Sequence, residues 1–291
     1  AHSVQSASEP KQQGNVGILL GSRIDKYRDP FYNLVLEGAD KKLSELGYHV
    51  TYIKTYHDVG TEAHARELLR QFDVDGIILL GSARYDSIRY LRRHFSPIVT
   101  VTDMYGVNDD SIMFDGERGM HQLVEHLALN GYRRPGYISG QSDVRYTGFK
   151  RGIKDFELEN IEDLHLILEP GPSGWTPDMG ERGARLLMSQ SIKPDVIVCA
   201  SDRLAIGAMQ WLQHNGYRVP DDIAVTGFDN IPDTEFTFPP LTTVNVHKIL
   251  LGEIAAERII RRIENPEEVY LHIIIPTSLV VRQSCRNVTH D

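Results

Sequence analysis

Cysteine is scarce in this chain, with 2 among 291 residues. Cys199 and Cys285 form neither a close pair nor a metal-ligand spacing, and two thiols are too few for a disulfide framework. A reducing, cytoplasmic setting is the default reading. No stretch approaches about 18 consecutive apolar residues, so no membrane partner is expected. Positive charge is also short: 31 Lys and Arg stand against 40 Asp and Glu, a formal net charge of −9. A free-standing nucleic-acid binder would normally carry a basic field instead. No GxGxxG follows a strand pattern and no GxxxxGK[ST] occurs, so neither dinucleotide nor nucleotide phosphate has a motif. The G-x-S-x-G elbow and the H-E-x-x-H zinc pair are missing too. The 12 histidines scatter. His121 and His126 lie five apart and miss the same-face spacing of three or four, while His57 and His64 straddle a turn and a helix start. They read as surface or capping residues. No carboxylate pair stands out by spacing. The chain is not expected to be an enzyme, and no cofactor is implied.

At about 150 residues per domain, the length predicts two domains or one domain of two lobes. The composition, 41% apolar and 24% charged, is that of an ordinary globular protein. Residues 1–14 (AHSVQSASEPKQQG) are polar and aperiodic, lack the basic start and apolar core of a signal peptide, and read as a linker, tether or cloning scar. Beyond them, short apolar runs alternate with amphipathic segments. NVGILL (15–20), HVTYI (49–53), GIILL (76–80), PIVTV (97–101) and SIMF (111–114) read as buried parallel strands. Between the first two, Asp29-Pro30 is an N-cap followed by proline at the first helical position. Phe31, Leu34, Val35, Ala39, Leu43 and Leu46 then step by three and four until Gly47. A second helix is expected over 61–72.

The alternation restarts with helix 117–130, strand 136–139, helix 147–157, strand 164–168, helix 178–190, strand 195–200, helix 202–215 and strand 222–227. Two series of β-α units predict two doubly wound parallel sheets. A long amphipathic helix around 249–263, the run YLHIII (270–275) and a last strand SLVV (278–281) suggest a return to the first lobe, then a final crossing to the second.

Ligands of open α/β lobes sit at the carboxyl ends of the strands. The residues there are Ser22, Arg23, Asp29, Phe31 and Tyr32 after the first strand, Ser82 after 76–80, and Asp103 after 97–101. In the second lobe they are Gln141 to Tyr146, Ser201 and Asp202, Phe228-Asp229-Asn230, and Trp175 in a Gly/Pro-rich loop. Carboxylates that accept from neighbouring hydroxyls, an arginine that donates to oxygens and an indole that covers a C–H face suit a polyhydroxylated ligand. Each also has a plainer reading. Asp202 would N-cap helix 202–215, Asp229 would be a turn residue, Trp175 a surface aromatic and Arg145 a salt-bridged surface arginine.

The segments SDRLAIGAMQWL (201–212), VPDDIAVTGFDN (219–230), PPLTTV (239–244) and PTSLVVRQS (276–284) together resemble the LacI/GalR family of bacterial transcriptional regulators. DPFYNLVLEGADKKLSELGY, VDGIILLGS, VEHLALNGYRRPGYISG and SDVRYTGFK resemble family segments in the same order, so the likeness spans roughly residues 15–285. It is to the effector-binding core alone. Nothing here resembles the family's helix-turn-helix headpiece, and the chain is read as a core without it.

The resemblance implies a type I periplasmic-binding-protein-like fold: two Rossmann-like, doubly wound lobes joined by three crossovers near Phe114, His247 and Pro276. The N-terminal lobe would hold 15–114 and 248–275, the C-terminal lobe 115–247 and 276–288. It implies a homodimer that binds a small effector, a sugar or sugar derivative, in the cleft and controls operator DNA through the headpiece. Residue by residue, Asp229 in GFDN matches the family's hydroxyl-binding aspartate, and Arg145, three before Gly148-Phe149, its effector-binding arginine. Trp175 sits where sugar-binding members place a stacking aromatic, and Ser201 at a common polar contact. Asp103, Phe31 and Tyr32 fall at cleft positions of the first lobe, with Asp29, Ser82, Phe228 and Lys248 as further candidates. Where many members carry glutamine, this chain has Val246, followed by His247 and Lys248. Lys248 is read either as a solvated hinge lysine or as the mark of an anionic ligand such as a sugar phosphate. A periplasmic-type sugar-binding protein and a core controlled mainly by a protein corepressor are the alternative functions.

Overall fold

The computed structural model describes residues 14–21, 29–55, 60–81, 86–102, 110–170 and 174–286. The chain forms two compact units, Ala1–Met113 with Lys248–Ile273 and Phe114–His247 with Ile274–Asp291, and so passes between them three times. Each unit is an open α/β sandwich, and the whole has the type I periplasmic-binding-protein-like architecture.

In the first unit, strands β1 (Gly14–Leu20), β2 (Tyr48–Thr55), β3 (Gly76–Leu80), β4 (Ile98–Val101) and β5 (Asp110–Phe114) are parallel. With β11 (His272–Ile275) they form a six-stranded sheet in the order β2-β1-β3-β4-β5-β11. Alternation along the strands supplies two apolar faces. Leu19, Ile77 and Leu79 pack with Ala65 and Leu68 of α2 (Glu62–Gln71) and with Ile88 and Leu91 of α3 (Asp86–His94). On the other face α1 (Pro30–Glu45) lies beside α8 (Lys248–Glu264), and Ile259 of α8 reaches Gly76. The Asp29 cap forms as expected, accepting from the backbone N–H groups of Phe31 at 3.1 Å and Tyr32 at 3.3 Å. Helix α3 was not expected, because its 9 residues DSIRYLRRH are mostly polar and charged and too few for the pattern of Ile88, Tyr90 and Leu91 to stand out.

Helix α8 is tied to its sheet by charge as well as by packing. Arg258 donates to Asp110 at 2.5 Å and to Glu268 at 2.9 Å, while Arg262 reaches the other Asp110 oxygen at 3.2 Å. Asp110 and both arginines are buried. A buried carboxylate shared by two guanidinium groups is compensated, whereas removing one partner would leave an unpaired charge.

In the second unit, β6 (Pro135–Ser139), β7 (His165–Ile167), β8 (Val196–Cys199) and β9 (Ala224–Thr226) are parallel in the order β7-β6-β8-β9. Strands β10 (Thr243–Asn245) and β12 (Ser278–Val280) pair antiparallel beside them. Ile138, Ile197, Cys199 and Val225 face α6 (Pro177–Met188) and α7 (Asp202–His214). The opposite face carries Tyr137, stacked on Phe149 of α5 (Val144–Asp155) at 4.6 Å, with α5 lying beside α4 (Gly116–Leu129). Helix α5 begins three residues before the expected start, because Asp143 caps it. Arg145 is therefore in a first helical turn and not in a loop. Among the described residues no helix is long and apolar enough to cross a membrane.

Helices approach closely where both lack a Cβ. A Cβ on Gly38 of α1 would lie 2.1 Å from the Ile249 carbonyl oxygen, and one on Gly252 of α8 would lie 2.0 Å from that of Val35. Replacing Gly252 by alanine gains about 1 kcal/mol of helix propensity but overpacks a backbone contact at about 1–3 kcal/mol. The expected outcome of Gly252→Ala is a Tm lower by several degrees, measured by calorimetry.

His165 gives a pH test. Its ring is buried edge-on to Phe149 at 5.1 Å, with Tyr146 Oη 3.3 Å and the Glu162 carboxylate 3.9 Å from Nδ1. Burial lowers its pKa, Glu162 opposes that shift, and the Lys150 charge adds to it. The unfolded chain thus binds a proton here before the folded one does. The stability contribution is full above about pH 6.5 and is lost as pH falls towards the depressed folded value. Between pH 7 and 5, Tm should drop more in the wild type than in His165→Phe.

Candidate functional site

In the second unit the strand order reverses between β6 and β8, and the crevice outside such neighbouring carboxyl ends is where open α/β sheets take ligands. Arg145 occupies that point. Its Nη1 donates to the carbonyl of Ala200, just past β8, at 2.9 Å. Its Nε and Nη2 donate to the Asp143 carboxylate, the closest Nε distance being 3.1 Å. One face of the guanidinium lies over Trp175 at 4.5 Å, with the Phe228 and Phe114 rings at 5.7 and 5.9 Å. Such distances to ring centroids are those of cation–π contacts. Trp175 is itself placed by Gly140, just past β6, where a Cβ would lie 2.1 Å from the indole nitrogen.

Only 9% of Arg145 is exposed, so it is salt-bridged but not a surface arginine. Burial alone disfavours both charges of the pair. The attraction and hydrogen bonds between them outweigh it, holding Asp143 below and Arg145 above their ordinary values. Asp229 adds its negative charge to the field on Arg145.

Asp229 and Asn230 follow β9 with φ of 117° and 54°, the left-handed region that non-glycine residues seldom enter. The plainer reading of Asp229 as a turn residue thus holds for its backbone. The turn is pinned on both sides: Asp229 N–H donates to the Val244 carbonyl at 2.8 Å, and Asn230 Nδ2 donates to Asn245 Oδ1 at 3.1 Å. Arg282 Nη2 donates to Asn230 Oδ1 at 2.9 Å. Beneath lies Asp202, fully buried, accepting from Ile231 N–H at 2.8 Å and from Thr243 Oγ1 at 2.5 Å.

Several expectations need correction. Asp202 is not the N-cap of α7; Ser201 is, accepting from Leu204 N–H at 3.4 Å, while Asp202 is the first helical residue and turns inward. Phe228 is 0% exposed and supports the guanidinium from within the core, so it presents no surface to a ligand. Lys248 is 5% exposed at the start of α8, which removes the solvated-lysine reading. Val246 is buried, and the polar side chain next to it is Asn245, already bonded to Asn230. Trp175 is half-buried against the α6–α7 core, so it is no free surface aromatic. Sequence reasoning missed Asp143, although an aspartate two residues before the arginine in SDVR is an N-cap signal; the late helix start hid it.

In the first unit, the order β2-β1-β3 places the reversal between β1 and β3, but the loops after them, with Ser22, Arg23 and Ser82, lie outside the described residues. Asp103 lies outside them as well. Asp29 serves as the α1 cap. Phe31 and Tyr32 meet edge to face at 5.0 Å, and Tyr32 Oη is 3.1 Å from Thr102 Oγ1, just past β4. Among the described residues no group of three or more His, Cys, Asp or Glu is placed to hold a metal ion.

Comparison with known proteins agrees with this layout. A family model described as periplasmic binding protein-like domain matches residues 124–285. The HTH-type transcriptional repressor PurR of Mannheimia succiniciproducens is 30% identical over 278 residues, covering 92% of this chain and 81% of that protein. A solved LacI transcriptional regulator from Bacillus cereus subsp. cytotoxis superposes with a TM-score of 0.85 at 25% identity, covering 94% of this chain and 99% of its own. A transcriptional regulator CelR–cellobiose complex gives 0.84 at 25% identity, covering 95% and 86%.

The carboxylate beneath the turn supplies a stability test. Asp202→Ala removes two buried hydrogen bonds to a charged acceptor, each about 1.5–3 kcal/mol, and strands the Ile231 N–H. The expected loss in urea unfolding is about 3–5 kcal/mol.

Proposed function

The chain belongs to the LacI/GalR family of transcriptional regulators, and from that premise we propose that its effector is a small polyhydroxylated molecule, a sugar or sugar derivative, held at the Arg145–Trp175–Asp229 cradle. Regulators of this family bind small-molecule effectors and operator DNA and act as dimers; their relatives here are repressors, not enzymes. The observation that carries the reading is the buried guanidinium at the strand-order reversal of the second unit, stacked on an indole. Guanidinium N–H groups donate to hydroxyl and ring oxygens, an indole covers the apolar C–H face of a sugar ring, and a carboxylate accepts from two neighbouring hydroxyls. The named cellobiose complex of one structural relative supports that ligand chemistry.

In this reading Tyr32 of the first unit contacts the same ligand. Binding then biases a hinge at the three chain crossings, and operator affinity follows the hinge as a population shift. Moving such an equilibrium from 1:99 to 99:1 takes about 5.5 kcal/mol of differential binding. Two or three charge-assisted hydrogen bonds of about 1.5–3 kcal/mol each, with one stacking contact, supply that amount.

The test is a thermal-shift screen of the chain against mono- and disaccharides, polyols and nucleosides, followed by calorimetric titration of each hit. Ligand at 100 times its Kd adds about 2.7 kcal/mol of stability, a shift of several degrees. Asp229→Asn tolerates the positive φ and keeps the shape, so it should fold normally yet bind about ten- to a hundredfold more weakly. Arg145→Ala should lose the response. Wild-type affinity in both variants, or silence across the panel, overturns the assignment.

A further inference from the structure

The hydrogen-bond accounting at Arg145 says more about the effector than its general class. A guanidinium has five N–H donors. Nε and one N–H of Nη2 are spent on Asp143, and one N–H of Nη1 on the Ala200 carbonyl. One donor remains on each terminal nitrogen, and one flat face is covered by Trp175. The edge through which arginine takes a carboxylate or phosphate in parallel, two-pronged fashion is occupied by a carboxylate of the protein itself. That carboxylate is fixed three more times: it caps α5 through Arg145 N–H at 2.9 Å, accepts from Gln141 Nε2 at 3.2 Å, and shares a second oxygen with Nε.

Building on the reading of Arg145 as the ligand-binding arginine, we infer that Asp143 is a specificity-determining residue that restricts the effector to uncharged molecules and excludes sugar phosphates and sugar acids. Asp143 offsets the Arg145 charge, and Asp229 adds further negative charge to the field there. An anion entering the cradle meets two carboxylates and two single donors in place of a free guanidinium fork. Juxtaposed like charges in a desolvated site are costly, whereas a neutral hydroxyl accepts one N–H and donates to Asp229 at no such penalty.

The experiment compares wild type with Asp143→Asn, because asparagine is as good an N-cap as aspartate and keeps the side-chain shape. Both carry Trp211→Phe, so that Trp175, the other of the 2 tryptophans, reports on Arg145. Matched probes are ribose and ribose 5-phosphate, glucose with glucose 6-phosphate and glucuronate, cellobiose and cellobionate, and inorganic phosphate alone. The neutral member of a bound pair should bind wild type at least about tenfold more tightly than its anionic derivative. Asp143→Asn should shrink that preference about tenfold or more and gain saturable phosphate binding, abolished by adding Arg145→Ala. A helix cap of purely structural importance would weaken both members of a pair alike.

Wild type that prefers the anionic member, or that binds phosphate in an Arg145-dependent way, overturns the inference. So does Asp143→Asn with unchanged preference and no phosphate binding. Failure of the underlying effector reading gives a different pattern: no sugar, neutral or anionic, binds either protein, while the phosphate comparison still decides the role of Asp143.

Discussion

The strand ends of the second unit depend on one carboxylate inside the protein. Asp202 is fully buried, yet it meets three parts of the chain: its own N–H bonds the Phe228 carbonyl at 2.7 Å, and its side chain bonds Ile231 N–H and Thr243 Oγ1. These bonds bracket Asp229 and Asn230, whose positive φ values cost about 1–3 kcal/mol each. Hydrogen bonds to a buried charge, at about 1.5–3 kcal/mol each, are of the size needed to hold two strained residues in place. Gly227 belongs to the same device, since a Cβ there would lie 2.2 Å from Asp202 Oδ1. The strain sits in the turn that carries Asp229, and its compensation sits underneath.

Another constraint fixes the other side of the cradle. Helices α6 and α7 touch through glycine in both directions: a Cβ on Gly180 would lie 2.0 Å from the Leu204 carbonyl oxygen, and one on Gly207 would lie 1.8 Å from that of Pro177. Their starts are thereby clamped together. Trp175 precedes α6 and Ser201 caps α7, so the clamp brings the indole beside the β8 end that holds Arg145. Gly174, at φ 75°, lets the chain turn into that position. Rigid helix packing, not the loop itself, sets the stacking distance.

Much of this was legible from residue patterns. The strands of both sheets are short apolar runs bounded by turn residues, and their alternation with amphipathic segments is enough to read two doubly wound sheets. Helix α3 escaped because Arg89, Arg92, Arg93 and His94 leave it only Ile88 and Leu91 as buried apolar residues. Arg145, Asp229 and Trp175 could be named because they fall in segments that follow strands and because the resemblance matches them to ligand-contact positions. Asp143 and Asp202 were not. Asp143 caps a helix whose boundary was placed three residues late, and boundaries are set by side-chain hydrogen bonds that periodicity does not carry. Asp202 has the sequence context of a cap, because aspartate before an apolar run usually is one. Only the three-dimensional path of residues 227–243 shows that its acceptors are needed inside the protein.

The two units repeat one physical solution with different chemistry. Each places non-glycine residues of positive φ at the carboxyl side of its sheet: Thr102 at 63° directly after β4, and Asp229 and Asn230 shortly after β9. Strain of this kind persists only where surrounding bonds over-determine it, and it gathers where a side chain must point in one direction. In the second unit the turn carrying Asp229 adds its negative charge to the field on Arg145, itself answered by Asp143. In the first unit the described side chains at that end include the Asp29 carboxylate, which caps α1, the Tyr32 hydroxyl bonded to Thr102, and the Phe31 ring against it. An arginine already answered by a carboxylate offers single donors, which select by direction rather than by net charge.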